Sequence, residues 1–191
     1  IKLMAKIQWK PGTMVYPLPA ILVSCGSKEE DYNLITISWK GTINTNPPML
    51  YVSIRPERHS YKIIKESGEF VINLTTKSMA FATDWCGVKS GKDYNKFKEM
   101  KLTAIPATHI NCPMIAESPI NIECRVTQII PLGSHDMFMA EVINVHASSE
   151  FLDPITGAFD MQKAELIAYS HGNYYELGQQ IGRFGHSVQK K

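Results

Sequence analysis

The chain has 191 residues, 44% of them apolar and 20% charged, with a formal net charge of +2. That is enough chain for one domain with a substantial core, expected to span residues 1–191. So small a charge argues against a nucleic-acid binder, which usually shows a concentrated basic face. No apolar run approaches the roughly 20 residues that cross a bilayer, so neither nucleic acid nor membrane is an expected partner. The one basic run, Lys190-Lys191, reads as a solvated tail. Ala20-Ile21-Leu22-Val23 is too short for a targeting peptide and lacks its flanks. The four cysteines, Cys25, Cys86, Cys112 and Cys124, form no CxxC pair, so no metal site is expected. Reduced thiols in a cytoplasmic protein are the default for a chain of this size. Asn73-Leu74-Thr75 matches a glycosylation sequon by chance.

The predicted elements are mostly strands. Residues 20–25 form a short apolar run. Residues 33–39 alternate and are β-branched through Ile35, Thr36 and Ile37. Met-Leu-Tyr-Val-Ser-Ile-Arg at 49–55 is a third strand. Residues 60–67 place Tyr61 and Ile64 at helical spacing, and Gly68 stops the helix. Glu-Phe-Val-Ile-Asn at 69–73 is a fourth strand. A second helix is expected over 78–86 with Ser78 as its cap, and a short helical turn over 93–100 carries Phe97 inward. Two long alternating runs, 120–130 and 137–146, flank a hairpin connection, Pro131-Leu132-Gly133-Ser134-His135-Asp136. Closely spaced strands with few helices favour an antiparallel barrel over a doubly wound sheet.

The standard nucleotide motifs fail. Gly178, Gly182 and Gly185 have the wrong spacing for GxGxxG and come last in the chain. Residues 87–93 are one residue short of a P-loop, and Asp93 stands where Ser or Thr must hold the metal. Three polar segments at strand ends remain. Thr36-Ile37-Ser38-Trp39-Lys40-Gly41-Thr42 offers small hydroxyls and backbone groups to a flat heteroaromatic, or is a Ser/Thr-rich edge strand facing water. Ser53-Ile54-Arg55-Pro56-Glu57-Arg58-His59-Ser60 runs from a strand into a helix start. Free amides and arginine forks there suit a phosphate, or the residues are only a solvated cap. Lys89-Ser90-Gly91-Lys92, followed by Lys96, completes a phosphate cradle or is a charged surface loop.

In their order and spacing, these segments resemble the FMN-binding split-barrel family, in its flavin reductase-like, flavoredoxin-type branch. The resemblance runs from about Tyr16 to Val188. It is carried by Tyr16-Pro17-Leu18-Pro19, Thr36-Ile37-Ser38-Trp39, Asn46-Pro47-Pro48-Met49, the run from Ile64 to Asn73, Cys86 through Asp93, and Gly133-Ser134-His135-Asp136-Met137-Phe138. The ending, from Leu177 through Gly185, fits as well.

The resemblance implies a six-stranded antiparallel FMN-binding split barrel with inserted short helices. It implies that Thr36, Ile37, Ser38, Trp39, Lys40, Gly41 and Thr42 line the flavin ring and ribityl chain, beside Ser53 and Ile54. Arg55, Arg58, His59 and Ser60 would hold the phosphate, together with Lys89, Ser90, Gly91 and Lys96. His135 matches a histidine near the reactive face and is expected to position flavin and nicotinamide. The implied activity is that of an FMN-dependent oxidoreductase or electron carrier, fed by NADH or NADPH or by a redox protein partner. The contrasting reading is a flavin-storing protein without turnover. Family members are homodimers, so the part from Tyr169 onward is expected near the partner. Ser53 replaces a cysteine found in some ferric-reducing relatives, which weakens any reading as an iron reductase. Cys86 reads either as a small core residue or as a reactive thiol, and Trp39 either covers the flavin or packs.

Overall fold

The computed structural model describes residues 6–188; Lys190 and Lys191 lie outside them. In chain order the strands begin with β1 (Leu18–Pro19), β2 (Ile21–Cys25), β3 (Asn33–Ile37), β4 (Lys40–Asn44) and β5 (Met49–Ile54). Helix α1 (His59–Ser67) leads into β6 (Glu69–Leu74), followed by α2 (Ala80–Val88) and α3 (Lys96–Glu99). Then come β7 (Ala104–Pro106), β8 (Pro113–Ile115), β9 (Ile120–Pro131), β10 (Asp136–Ala147), β11 (Ile167–Ser170) and β12 (Asn173–Glu176). Among the described residues no helix is long and apolar enough to cross a membrane.

The main sheet has seven antiparallel strands in the order β3-β2-β6-β9-β10-β5-β4. Its edge strands, β3 and β4, are joined by only Ser38 and Trp39. A flat sheet cannot place its two edges that close together. The sheet therefore curls, which brings β3 near β5, and the β4–β5 ladder runs on into the connection, where the Ser53 amide donates to the Trp39 carbonyl at 2.8 Å. This curled antiparallel half-barrel is the split barrel the resemblance implied. The strand count is seven rather than six, because residues 40–44 pair with β5 as a strand of their own.

The strand patterns follow from this layout. On β5 every second residue is buried: Leu50, Val52 and Ile54 point into the barrel with Phe70, Ile72 and Phe138. All of β2 is buried, since both its faces are covered. Ile21 and Val23 enter the barrel core, whereas Leu22 packs with Leu34, Met79, Cys86, Phe97 and Ile115 in a second cluster that includes residues of α2 and α3. Gly87 allows α2 to lie close on β3, since a Cβ there would come within 3.2 Å of Thr36. Cys86 is fully buried, and burial pushes its thiol up to about 11, so it is a core residue and not a reactive thiol.

The helices depart slightly from expectation. Helix α1 ends where predicted, at Gly68, whose φ of 69° suits only a residue tolerant of left-handed backbone. Its N-cap position is Arg58, so Ser60 sits inside the first turn and caps nothing. Ser78 does not cap α2 either. It lies in a 3-10 turn over Lys77–Met79, its hydroxyl 2.9 Å from that of Thr76. Asn95 does cap α3, accepting from the Lys98 amide at 3.1 Å.

Candidate functional site

The seam between β3 and β5 is where the sheet stops pairing, and a cavity of about 290 Å³ opens there. One wall is Ile35, Thr36 and Ile37 of β3 with Ser38 and Trp39 beyond it. The other is Ser53 and Ile54 of β5 with Arg55 and Arg58. His135, from the β9–β10 hairpin, and Tyr169 of β11 complete the rim. Trp39 leans on Tyr16, ring centroids 6.2 Å apart, and Tyr16 meets Tyr169 edge-on at 6.1 Å. The cavity thus combines aromatic planes at Trp39 and Tyr169 with short polar groups at Thr36, Ser38 and Ser53, which suits a flat heteroaromatic.

A second cavity of about 180 Å³ adjoins the first, and Ile35 and Arg58 line both. It holds His59 and Ser60 of α1, whose amides have no carbonyl four residues back to bond. Lys89, Ser90, Gly91 and Lys96 close it from the other side. Arg58 donates one guanidinium N–H to the Gly87 carbonyl, which holds the side chain in place and leaves its other donors available. Ser60 is buried, and its oxygen accepts from Asn33 Nδ2 at 2.7 Å. Gly91 is required by space: a Cβ would lie 2.1 Å from Asn33 Oδ1 and 2.8 Å from His59 Cδ2.

Lys96 is the most constrained of these groups. Its ammonium is buried and donates to the carbonyls of Leu34 at 2.8 Å and Cys86 at 2.7 Å. It therefore ties β3 to the end of α2 and keeps one N–H for the cavity. Burial, with the Arg58 cation nearby, lowers it to about 8. His59 is lowered from the ordinary histidine value by burial and then by Lys92 and Lys96. His135 is also lowered, by burial and the Arg55 cation, and its Nδ1 sits 3.0 Å from Ser134 Oγ. The single carboxylate in the small cavity's wall, Glu57, faces Arg55 at 3.5 Å. The donor set otherwise consists of cations, amides and hydroxyls, and it fits a phosphate.

The structure thus gathers most of the predicted residues into two joined cavities. Lys40, Gly41 and Thr42 stand apart. They pair with β5 as β4, Lys40 donates to the Pro19 carbonyl, and Gly41 accommodates the Tyr51 ring. Sequence reasoning missed Asn33, Ile35, Val88 and Tyr169. The first two lie on a segment read only as a strand, and Tyr169 reaches the rim on β11, a strand of four residues that left no pattern long enough to read.

The sequence profile of the flavin reductase like domain matches residues 13–178. A protein of undetermined role from Archaeoglobus fulgidus is 31% identical over 139 residues, 73% of this chain and 77% of that one. The flavoredoxin of Desulfovibrio vulgaris (Miyazaki F) superposes with a TM-score of 0.89 at 26% identity, covering 97% of this chain and 100% of that one. The flavoredoxin from Methanosarcina acetivorans superposes with a TM-score of 0.86 at 26% identity and the same coverage.

Proposed function

This chain belongs to the flavin reductase-like domain family, and from that premise we propose that it binds FMN across the two joined cavities and works as an oxidoreductase or electron carrier. The observation that carries the reading is the junction at Arg58. On one side is an aromatic-walled slot, on the other a small cradle of cations, amides and hydroxyls. A flavin mononucleotide has the matching halves, a flat ring and a terminal phosphate.

When bound, FMN supplies the capacity to accept a hydride or single electrons and pass them on. The chain's own residues do the positioning. Arg58, Lys96 and the first-turn amides of α1 fix the phosphate end, which sets how deep the ring sits. Trp39, Ile54 and the backbone of residues 36–38 hold the ring. His135 stands at the rim, held by Ser134, and its lowered basicity keeps it neutral near pH 7. There it orients an incoming nicotinamide by hydrogen bonding, without a charge that repels or attracts.

NADH or NADPH, or a redox protein partner, is the proposed electron donor. A homodimer belongs to the same proposal. Ile181 and Phe184, on the C-terminal segment, are fully exposed, and a second copy would cover them. A cytoplasmic location accords with the four free, buried thiols. The test is an anaerobic absorbance scan of the purified protein, before and after NADH or NADPH. A yellow protein bleached by either supports the oxidoreductase. A yellow protein bleached by neither points to a carrier or store, and failure to bind FMN on titration refutes the reading.

A further inference from the structure

A further cavity, of about 260 Å³, opens beside the flavin-ring cavity and shares Thr36, Ser38 and Tyr169 with it. The FMN reading gives it no task, and His135 does not line it. The rest of its wall comes from two elements. Helix α2 supplies Asp84, Gly87 and Val88, and the β11–β12 hairpin supplies Gly172 and Tyr174. The hairpin turns through His171 and Gly172, both at positive φ, and its register sets Tyr169 directly opposite Tyr174. Both rings are half-buried, and they meet edge-on with centroids 5.7 Å apart. Tyr174 donates its hydroxyl to Asp84 Oδ1 at 3.3 Å, which orients the carboxylate. Burial and the Asp84 charge push the tyrosine up to about 12, so it remains a donor. Asp84 is the one charged side chain in this wall, and among the described residues no Lys, Arg or His pairs with it.

A carboxylate without a cationic partner, set beside two aromatic rings, is the chemistry that holds an organic cation. The carboxylate supplies the counter-charge, and the ring faces attract positive charge through their quadrupoles. The cavity has room for a small ring system and not for a nucleotide. We infer that it is a subsite for a small planar aromatic cation, an electron acceptor held by Asp84, Tyr169 and Tyr174 at the edge of the flavin-ring cavity. The inference rests on FMN occupying that ring cavity. Charge decides which reactant the subsite selects. A reduced nicotinamide ring is neutral and gains nothing from Asp84, whereas an oxidised aromatic cation gains from all three side chains. In the step itself the cation takes a hydride, two electrons and a proton together, from reduced FMN. One bond to hydrogen breaks at the flavin nitrogen and one forms on the acceptor ring. The flavin is oxidised, the acceptor is reduced, and the acceptor's positive charge cancels the negative charge of the reduced flavin. The neutral product has lost its attraction to Asp84, so the subsite retains the oxidised acceptor and lets the reduced one go.

The experiment measures binding of N-methylphenazinium, with neutral phenazine as its uncharged counterpart, to the FMN-loaded full chain by equilibrium dialysis, for wild type and Asp84→Asn. Wild type is expected to bind the cation more tightly than phenazine. Asp84→Asn is expected to weaken the cation by about threefold or more and to leave phenazine unchanged. It should also keep the Kd for FMN within about twofold, since Asp84 lines neither flavin cavity, and that result shows the variant is folded. A second measurement mixes photoreduced protein with the cation in a stopped-flow instrument without oxygen and follows flavin reoxidation. Asp84→Asn should raise the half-saturating concentration of the cation by the same factor and leave that of a neutral benzoquinone unchanged. Cation binding that is equal in wild type and variant overturns the subsite and leaves the FMN site standing. Equal weakening of cation and phenazine overturns the charge argument too. Relief of product inhibition by oxidised NAD in Asp84→Asn, with N-methylphenazinium unaffected, gives the cavity to the spent donor and overturns the acceptor assignment. Failure to bind FMN removes the FMN reading and the subsite together.

Discussion

Lys96 makes FMN affinity depend on pH in a direction that can be worked out. In the free protein its ammonium is buried against the Leu34 and Cys86 carbonyls and titrates near 8, against an ordinary 10.5. A flavin phosphate, with its second pKa near 6, is a dianion throughout the relevant range. Placed beside Lys96, it favours the charged form and raises the lysine again. The complex then binds a proton that the free protein has lost, so affinity is complete below about 8 and falls as pH rises through it. If the phosphate restores the ordinary value, the two states differ by about 2.5 pH units, or about 3 kcal/mol. The loss between pH 7 and pH 9 is then about tenfold, since only one proton is linked. Lys40 also titrates near 8, because of burial, but it bonds the Pro19 carbonyl outside both cavities and does not contribute. The assay is fluorescence titration of FMN across that range, with riboflavin as the phosphate-free control, for wild type and Lys96→Met. A flat FMN curve, or an unchanged slope in Lys96→Met, would refute the reasoning.

Gly91→Ala forces a methyl into Asn33 and His59, so it should displace the Asn33–Ser60 bond, weaken FMN by about tenfold and cost about 1–3 kcal/mol in a denaturant melt. His135→Ala should raise KM for the nicotinamide several-fold in steady-state assays while leaving the Kd for FMN unchanged, because the ring sits at the rim and outside the cradle. Glu123 is fully buried yet ionised. Burial alone would raise it, but His146 at 2.6 Å and the amides of Thr108 and His109 at 2.9 and 2.8 Å outweigh that and hold it at about 2. Its folded value lies below its ordinary 4.5, so the stability it contributes is present above about 4.5 and lost as pH falls toward 2. Urea melts should show wild type losing about 3 kcal/mol over that window, and Glu123→Gln should lose a similar amount at pH 7 and show a flatter acid limb.

The strands themselves were legible because each carries its own evidence. The alternation at β5 and the apolar run at β2 survive intact in the structure, and the β9–β10 arms form the expected hairpin with register shifts at Met139/Ala140 and Val142/Asn144. The helix stop at Gly68 was equally local. The segments of the cradle could be named as phosphate candidates, since arginines, a helix start and a Lys-Ser-Gly loop are written consecutively. What no single segment contains is the order of the sheet. Only the placement of β3 and β4 at opposite edges, two residues apart in the chain, forces the curl that opens a cavity at the seam and turns residues 40–42 into an edge strand away from it. The same long-range packing gave Lys96 its two carbonyls, brought Gly91 against Asn33 and carried Tyr169 to the rim. Chemistry that depends on residue type and local spacing was determined by the sequence alone. Burial, hydrogen-bond partners and shifted basicity were decided by contacts between segments far apart in the chain, and those exist only once the barrel has closed.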